Sequence, residues 1–350
     1  MDYKRITWLD VAKCIGIVCI FLGHFGKEAG LFYEYVFKFH VPLFFFLSGC
    51  SCTFEKDLSF IEFLKKKALR ILLPFYLFAF SALITNCILT GTGNLKINLL
   101  TIALGCIRNC FCAESLWFLT CLFVIEIAFK AIKMIKFKAI RILIIASVIL
   151  TKPFYYHEPS MLFNIDSIYY VFYFALGYYL YPAINIMFDN AKNRLLKILL
   201  FIGTGAYAII EFFNCNPLDK VNIATKWINN IYSTVHASSR ALLLIAFAIL
   251  LSKLFCNVRV FQKIGSDTLY LCGTEYLLKQ FIFGIAGLFG FDRTAGAPFT
   301  TYLYVIVMII IGTWLVSPLL RRLVILLQKL AVKAFSSYYK RRKDIISAKT

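Results

Sequence analysis

Apolar runs long enough to cross a bilayer recur along this whole 350-residue chain, and most breaks between them carry lysine or arginine. A hydrocarbon core about 30 Å thick takes roughly 20 apolar residues of helix, whose backbone groups must be satisfied within the segment. The pattern predicts an all-α, polytopic integral membrane protein. About ten spans are expected, at 6–26, 36–54, 71–90, 116–132, 140–153, 168–188, 195–213, 237–256, 268–290 and 299–327, the run at 140–153 being the shortest. Composition agrees: 61% hydrophobic and 16% charged residues, with a mean hydropathy of +0.77, lie outside the range of soluble domains. A soluble chain of this length would suggest two domains, but here the spans form one membrane domain over 1–330 with a basic tail over 331–350.

The formal charge of +20 does not point to nucleic acid, because the cations sit between spans, as membrane topology requires. Lys4 and Arg5, the cluster Lys65–Arg70, Lys130 to Arg141, Lys192 to Lys197, Lys253 to Lys263 and the tail fall on one side. Scattered cations such as Lys27, Arg108, Lys152, Lys220 and Arg293 fall on the other. The positive-inside rule then places both termini in the cytoplasm, which suits an even number of spans. The first run has charges within it and no small-residue cleavage site after it, unlike a signal peptide. Of the twelve cysteines, Cys14, Cys19, Cys121 and Cys272 lie inside apolar runs as small hydrophobes. Cys106, Cys110 and Cys112 cluster, without the His or carboxylate pattern of a zinc site, and no metal is expected.

The first span, ITWLDVAKCIGIVCIFLGHFG, carries Asp10, Lys13 and His24. Each charge inside a membrane costs about 3 kcal/mol or more, so such groups face a protein interior or a wet cavity. Lys13 and His24 are eleven residues apart, about three turns plus ~20°, so they share a stripe with His24 roughly 16 Å further along. Asp10 is one turn before Lys13, where a carboxylate and an ammonium can pair. A buried ion pair beside an unrelated core histidine is the plainer account; a functional stripe is the sharper one.

Further along, KFHVPLFFFLSG at 38–49 puts His40 before a span with Pro42 in its first turn. Ser48 and Gly49 would let a helix or a ligand approach closely. In FLKKKALRILLPFY at 63–76, Lys67 and Arg70 are three apart on one helical face. They are either positive-inside flanks or an anion site, since arginine binds phosphate through planar, multidentate contacts. External stretches are expected at 91–115, with Glu114 near its end and Trp117 just beyond at the membrane interface, and at 214–236, rich in Asn and including Trp227 and His236. Their amides suit carbohydrate, and equally any external loop. Glu275 and Lys279, four apart in the ninth span, form a self-satisfied pair or part of a cavity.

Together these motifs resemble the membrane-bound acyltransferase family 3, whose bacterial members O-acetylate surface polysaccharides and related sugars. The opening motif of that family looks like Arg5, Asp10, Lys13 and His24, and its cytoplasmic motif like Lys67 and Arg70 followed by Pro74. FHVPLFFFLSG at 39–49 and LWFL at 116–119 also resemble family signatures, so the likeness covers the first third of the chain. IGSDTL at 264–269 resembles the pattern that precedes a histidine in several members, but here Glu275 stands in that place, leaving a two-histidine mechanism unsupported. The resemblance is to the stand-alone type in the bacterial cytoplasmic membrane.

What the resemblance implies is transfer of an acetyl or other acyl group from acyl-CoA, a co-substrate rather than a bound cofactor, to a hydroxyl of a surface glycan or lipid-linked sugar. His24 is the expected base or acyl carrier, with Asp10 assigned to Lys13. Lys13, Lys67 and Arg70 are expected to hold the donor's phosphates. Arg5, His40, Ser48, Trp117 and Glu275 are candidates for acceptor or supporting roles. An extended pantetheine arm of roughly 16–20 Å matches the Lys13–His24 separation. The competing readings are a transporter of a sugar-linked lipid or organic anion, and a noncatalytic relative.

Overall fold

The computed structural model describes residues 6–92, 94–106, 113–150, 152, 162–189, 193–220, 225–291 and 296–347. Helices α1 (Thr7–His24), α2 (Leu31–Phe37), α3 (His40–Cys52) and α4 (Phe60–Lys67) open the chain, and α4 runs through a π turn at Ala68–Leu72 into α5 (Leu73–Thr90). There follow α6 (Leu95–Ala103), α7 (Ala113–Met134), α8 (Lys138–Ile149), α9 (Val171–Asp189), α10 (Arg194–Phe212) and α11 (Lys226–Leu254). The last are α12 (Arg259–Ser266), α13 (Thr268–Leu288), α14 (Phe299–Ile310) and, after a second π turn at Ile311–Val316, α15 (Ser317–Ser347). Among the described residues there is no strand.

Among the described residues, seven helical segments are long and apolar enough to cross a membrane, or eight if α2 and α3, bent by 42° at their junction, form one span. The two expected spans outside that set are α8 and α13. The 12 residues of α8 make about 18 Å, short of the hydrocarbon core. Helix α13 has 21 residues, but Glu275, Lys279 and Gln280 lower its hydropathy. The two external stretches also carry more helix than expected. Helix α6 fills part of the first, and α11 begins at Lys226, eleven residues before the expected start at 237. Asn214 and Asn216 are engaged within the protein: Asn214 donates to Glu34 at 2.6 Å, and Lys38 bridges Glu211 at 2.8 Å and Asn214 at 2.7 Å. Asn216 donates to Glu211 as well, so these amides fasten the end of α10 to α2. No break separates the basic tail from the last span, because α15 continues to Ser347.

More of α1 is buried than of any other long apolar segment, and it packs against α2, α3, α11, α12, α13 and α14. An apolar helix enclosed by others has no lipid-facing side, which explains how α1 tolerates its ionisable residues. Between helices the fit depends on small residues, because two backbones approach closely only where side chains are missing. A Cβ on Gly49 of α3 would collide with the carbonyl oxygen of Phe174 on α9, and one on Gly177 of α9 would collide with that of Phe46 on α3. Gly265 of α12 lies in the same way on the carbonyl of Asp10. Gly49 thus serves helix packing. We expect Gly49→Ala and Gly177→Ala each to destabilise the protein by about 1–3 kcal/mol, read as a lower unfolding temperature in detergent. Unchanged stability in both would show that the α3–α9 crossing is not fixed by these contacts.

The π turn has a local cause. Ser59 and Glu62 cap α4 reciprocally, with the Ser59 N–H on Glu62 Oε2 at 3.2 Å and the Glu62 N–H on Ser59 Oγ at 3.4 Å. Pro74 then brings no N–H to the next turn, and the Leu73 N–H reaches back five residues to Ala68. The chain stays helical across the proline while the side chains around it are re-aimed.

Candidate active site

His24 is the last residue of α1, and α13 passes beside it. His24 Nδ1 lies 2.7 Å from Glu275 Oε1, and Ser115 of α7 donates its hydroxyl to Glu275 Oε2. Lys279, one turn further along α13, donates to the His24 backbone carbonyl at 2.8 Å. Glu275 and Lys279 thus both hold His24. The Glu275 side chain is only 2% exposed and that of His24 is 18% exposed, so the carboxylate is sealed while the imidazole remains accessible. With Glu275 ionised, the carboxylate can only accept, and Nδ1 then carries the proton toward it and leaves Nε2 as the basic nitrogen. A histidine oriented in this way is equipped to take a proton from a substrate hydroxyl.

Nearer the start of α1, Lys13 lines a cavity of about 510 Å³ between α1, α3, α7 and α13. Its polar part holds Lys13, Ser48, Ser51, Glu55, Lys56, Lys66, Arg70 and Glu126, and its apolar part Phe44, Phe118, Leu119, Leu122, Leu269 and Cys272. Cys272 is three residues, about 4.5 Å of helix, before Glu275. The cavity ends there: neither His24 nor Glu275 lines it. Phe44 and Phe118, edge to face at 5.7 Å, are part of the wall at this end.

Against this geometry the comparison with known families is decisive: the acyltransferase domain of acyltransferase family 3 matches residues 6–319. The chain belongs to acyltransferase family 3. It is therefore an acyltransferase, and the transporter reading falls away. Against curated proteins and solved structures the chain shows no match.

The acyltransferase departs from its motif spacing in what surrounds each residue. The carboxylate on His24 is Glu275, 251 residues away in sequence. Asp10 is fourteen residues, about 21 Å of helix, from His24 and is buried where α12 crosses α1. Lys67 is not presented to the cavity. It is 2% exposed, with Nζ 2.7 Å from Glu55 and 2.6 Å from Glu126. Arg70 reaches the same Glu55 oxygen at 3.1 Å, but its side chain is 62% exposed and lines the cavity. The two cations therefore converge on one carboxylate, as their spacing suggests, yet one is a buried ion-pair residue and the other a rim residue.

His40 is buried, and its Nδ1 donates to the Val36 carbonyl at 2.6 Å while its ring meets Phe37 edge-on, as in a satisfied core histidine. Ser48 lines the cavity, and Trp117 packs at 6.3 Å from Tyr170. Arg5, His157, Arg108, Cys110 and Cys112 lie outside the described residues, while Cys106 carries a free thiol. No group of residues able to hold a metal occurs among the described residues. Sequence reasoning passed over Ser115, Glu55 and Glu126. Of these only Glu126 left a signal, a lone carboxylate inside an apolar run.

Proposed function

We propose that this acyltransferase moves an acetyl or other short acyl group from cytoplasmic acyl-CoA to a hydroxyl of a surface glycan or lipid-linked sugar. One observation carries the reading. The same enclosed helix brings a carboxylate-oriented histidine to one level and, roughly 16 Å before it, a lysine to a cavity whose rim is basic. The rim residues Arg70, Lys56 and Lys66, with Lys13 inside, suit the phosphates of a donor. The apolar part of the cavity suits the pantetheine arm, whose thioester must pass Phe44, Phe118 and Cys272 to meet His24.

His24 Nε2 then takes the proton of the acceptor hydroxyl as its oxygen attacks the thioester carbonyl. The tetrahedral intermediate collapses with loss of the CoA thiolate, which takes the proton back from the imidazolium. Glu275 keeps the ring in place and offsets the positive charge that appears on it, with Ser115 holding the other carboxylate oxygen.

For donor and acceptor to meet from opposite sides, the chain must lie as the charge pattern indicates, with about ten spans in the bacterial cytoplasmic membrane and both termini inside. Tags at residues 1 and 350 should then resist protease in intact cells, and an exposed tag would reject this orientation. The chemistry is tested with purified protein in lipid, acetyl-CoA and glycan from cells lacking the gene. Mass spectrometry should find the acetyl ester, and its absence with every acyl-CoA offered would reject the reading.

A further inference from the structure

Two carboxylates in the wall of a site for a polyanion require an explanation. We infer that Glu55 is a specificity-determining residue of the donor site: an internal anion on Arg70 that excludes small anions and gives way to the phosphates of acyl-CoA. This rests on the reading of the cavity as the acyl-CoA site.

Glu55 Oε1 accepts from Lys67 Nζ at 2.7 Å and from Arg70 Nη1 at 3.1 Å, and the two contacts are unequal. Lys67 is buried and braced by a second carboxylate, Glu126, at 2.6 Å. Arg70 is 62% exposed, so water competes for its guanidinium and the pair contributes little. The contact to Arg70 is the one that yields. A phosphate offers the guanidinium several oxygens in the geometry that its planar donors match, where Glu55 offers one. Once displaced from Arg70, Glu55 still has Lys67, and no carboxylate is left without a cation. A small anion gains only the Arg70 contact in this exchange. The donor carries further phosphates that Lys13, Lys56 and Lys66 of the same cavity can hold.

The test is the affinity of wild type and variants for CoA, measured by calorimetry in lipid nanodiscs, with inorganic pyrophosphate as competitor. Glu55→Gln keeps the size and a hydrogen-bond acceptor for Lys67, and Glu126 keeps that lysine charged. It should bind CoA about two- to fivefold more tightly than wild type, and pyrophosphate should compete better against it. In an Arg70→Ala background the same substitution should change nothing, since the partner is gone. Equal or weaker CoA binding by Glu55→Gln overturns the inference, as does a gain that persists without Arg70. A merely structural Glu55 would show lower stability and no gain. If wild type itself binds no CoA, the donor reading fails and this inference falls with it. Normal wild-type binding with an unresponsive Glu55→Gln removes this inference alone.

Discussion

Replacing His24 with alanine is expected to lower acyl transfer by at least about 100-fold while leaving CoA binding nearly intact. The expectation comes from the division of labour along α1, where Lys13 lines the cavity and His24 stands outside it against Glu275. Truncation also strips a partner from a buried carboxylate, so His24→Gln is the companion variant, retaining a side-chain amide for Glu275 without a base. Loss of turnover in both, with CoA affinity preserved, assigns proton transfer to the imidazole. Surviving activity in His24→Gln would give it a positioning role, and full activity in His24→Ala would end the mechanism. Glu275 acts through His24, so Glu275→Ala should cost less, and adding it to His24→Ala should cost nothing more. An additive double variant would mean that Glu275 has separate work. His40→Ala is expected to affect stability rather than turnover, because its ring is engaged with Val36 and Phe37.

Lys67→Ala is expected to unfold or severely destabilise the protein, by about 3–5 kcal/mol, before any effect on donor binding can be read. The substitution takes the cation from buried Glu126 and leaves Glu55 beside it with only the exposed Arg70. The motif alone would have both Lys67→Ala and Arg70→Ala weaken donor binding in a folded protein; the structure keeps that outcome for Arg70 only. Thermal unfolding in detergent separates the two, with a large drop for Lys67→Ala and little change for Arg70→Ala. Adding Glu126→Gln to Lys67→Ala removes one uncompensated carboxylate and should restore part of the loss. Two equally stable single variants would contradict the buried ion cluster.

What could be read from sequence followed the cost of charge in an apolar setting. Charged breaks mark the ends of α10 and α13 to within two residues of the expected spans, because cations cannot enter the hydrocarbon. The same cost singled out Asp10, Lys13, His24 and Glu275 as groups that need a protein interior or a cavity around them. Sequence failed where structure is set by partners far along the chain. The contact between His24 and Glu275 joins two helices across 251 residues, and no local spacing encodes it. The burial of Lys67 depends on Glu126, a helix away, and on a π turn whose only trace is Pro74. Helix α11 was missed at its start because Asn229, Asn230 and His236 read as loop, although a polar segment outside the hydrocarbon can remain helical.

Because Lys13 and His24 belong to one unbroken helix walled in by others, the span between them is that of a stiff rod. A rod neither shortens nor folds to meet its cargo. Under the proposed donor reading, the enzyme would measure its donor: a thioester whose arm is too short would stay behind Phe44 and Phe118, and one that is long enough would need only those rings to turn aside. On that reading, motion during turnover would belong to side chains and substrates, with the helices as tightly packed as the crossing of Gly49 and Gly177 requires.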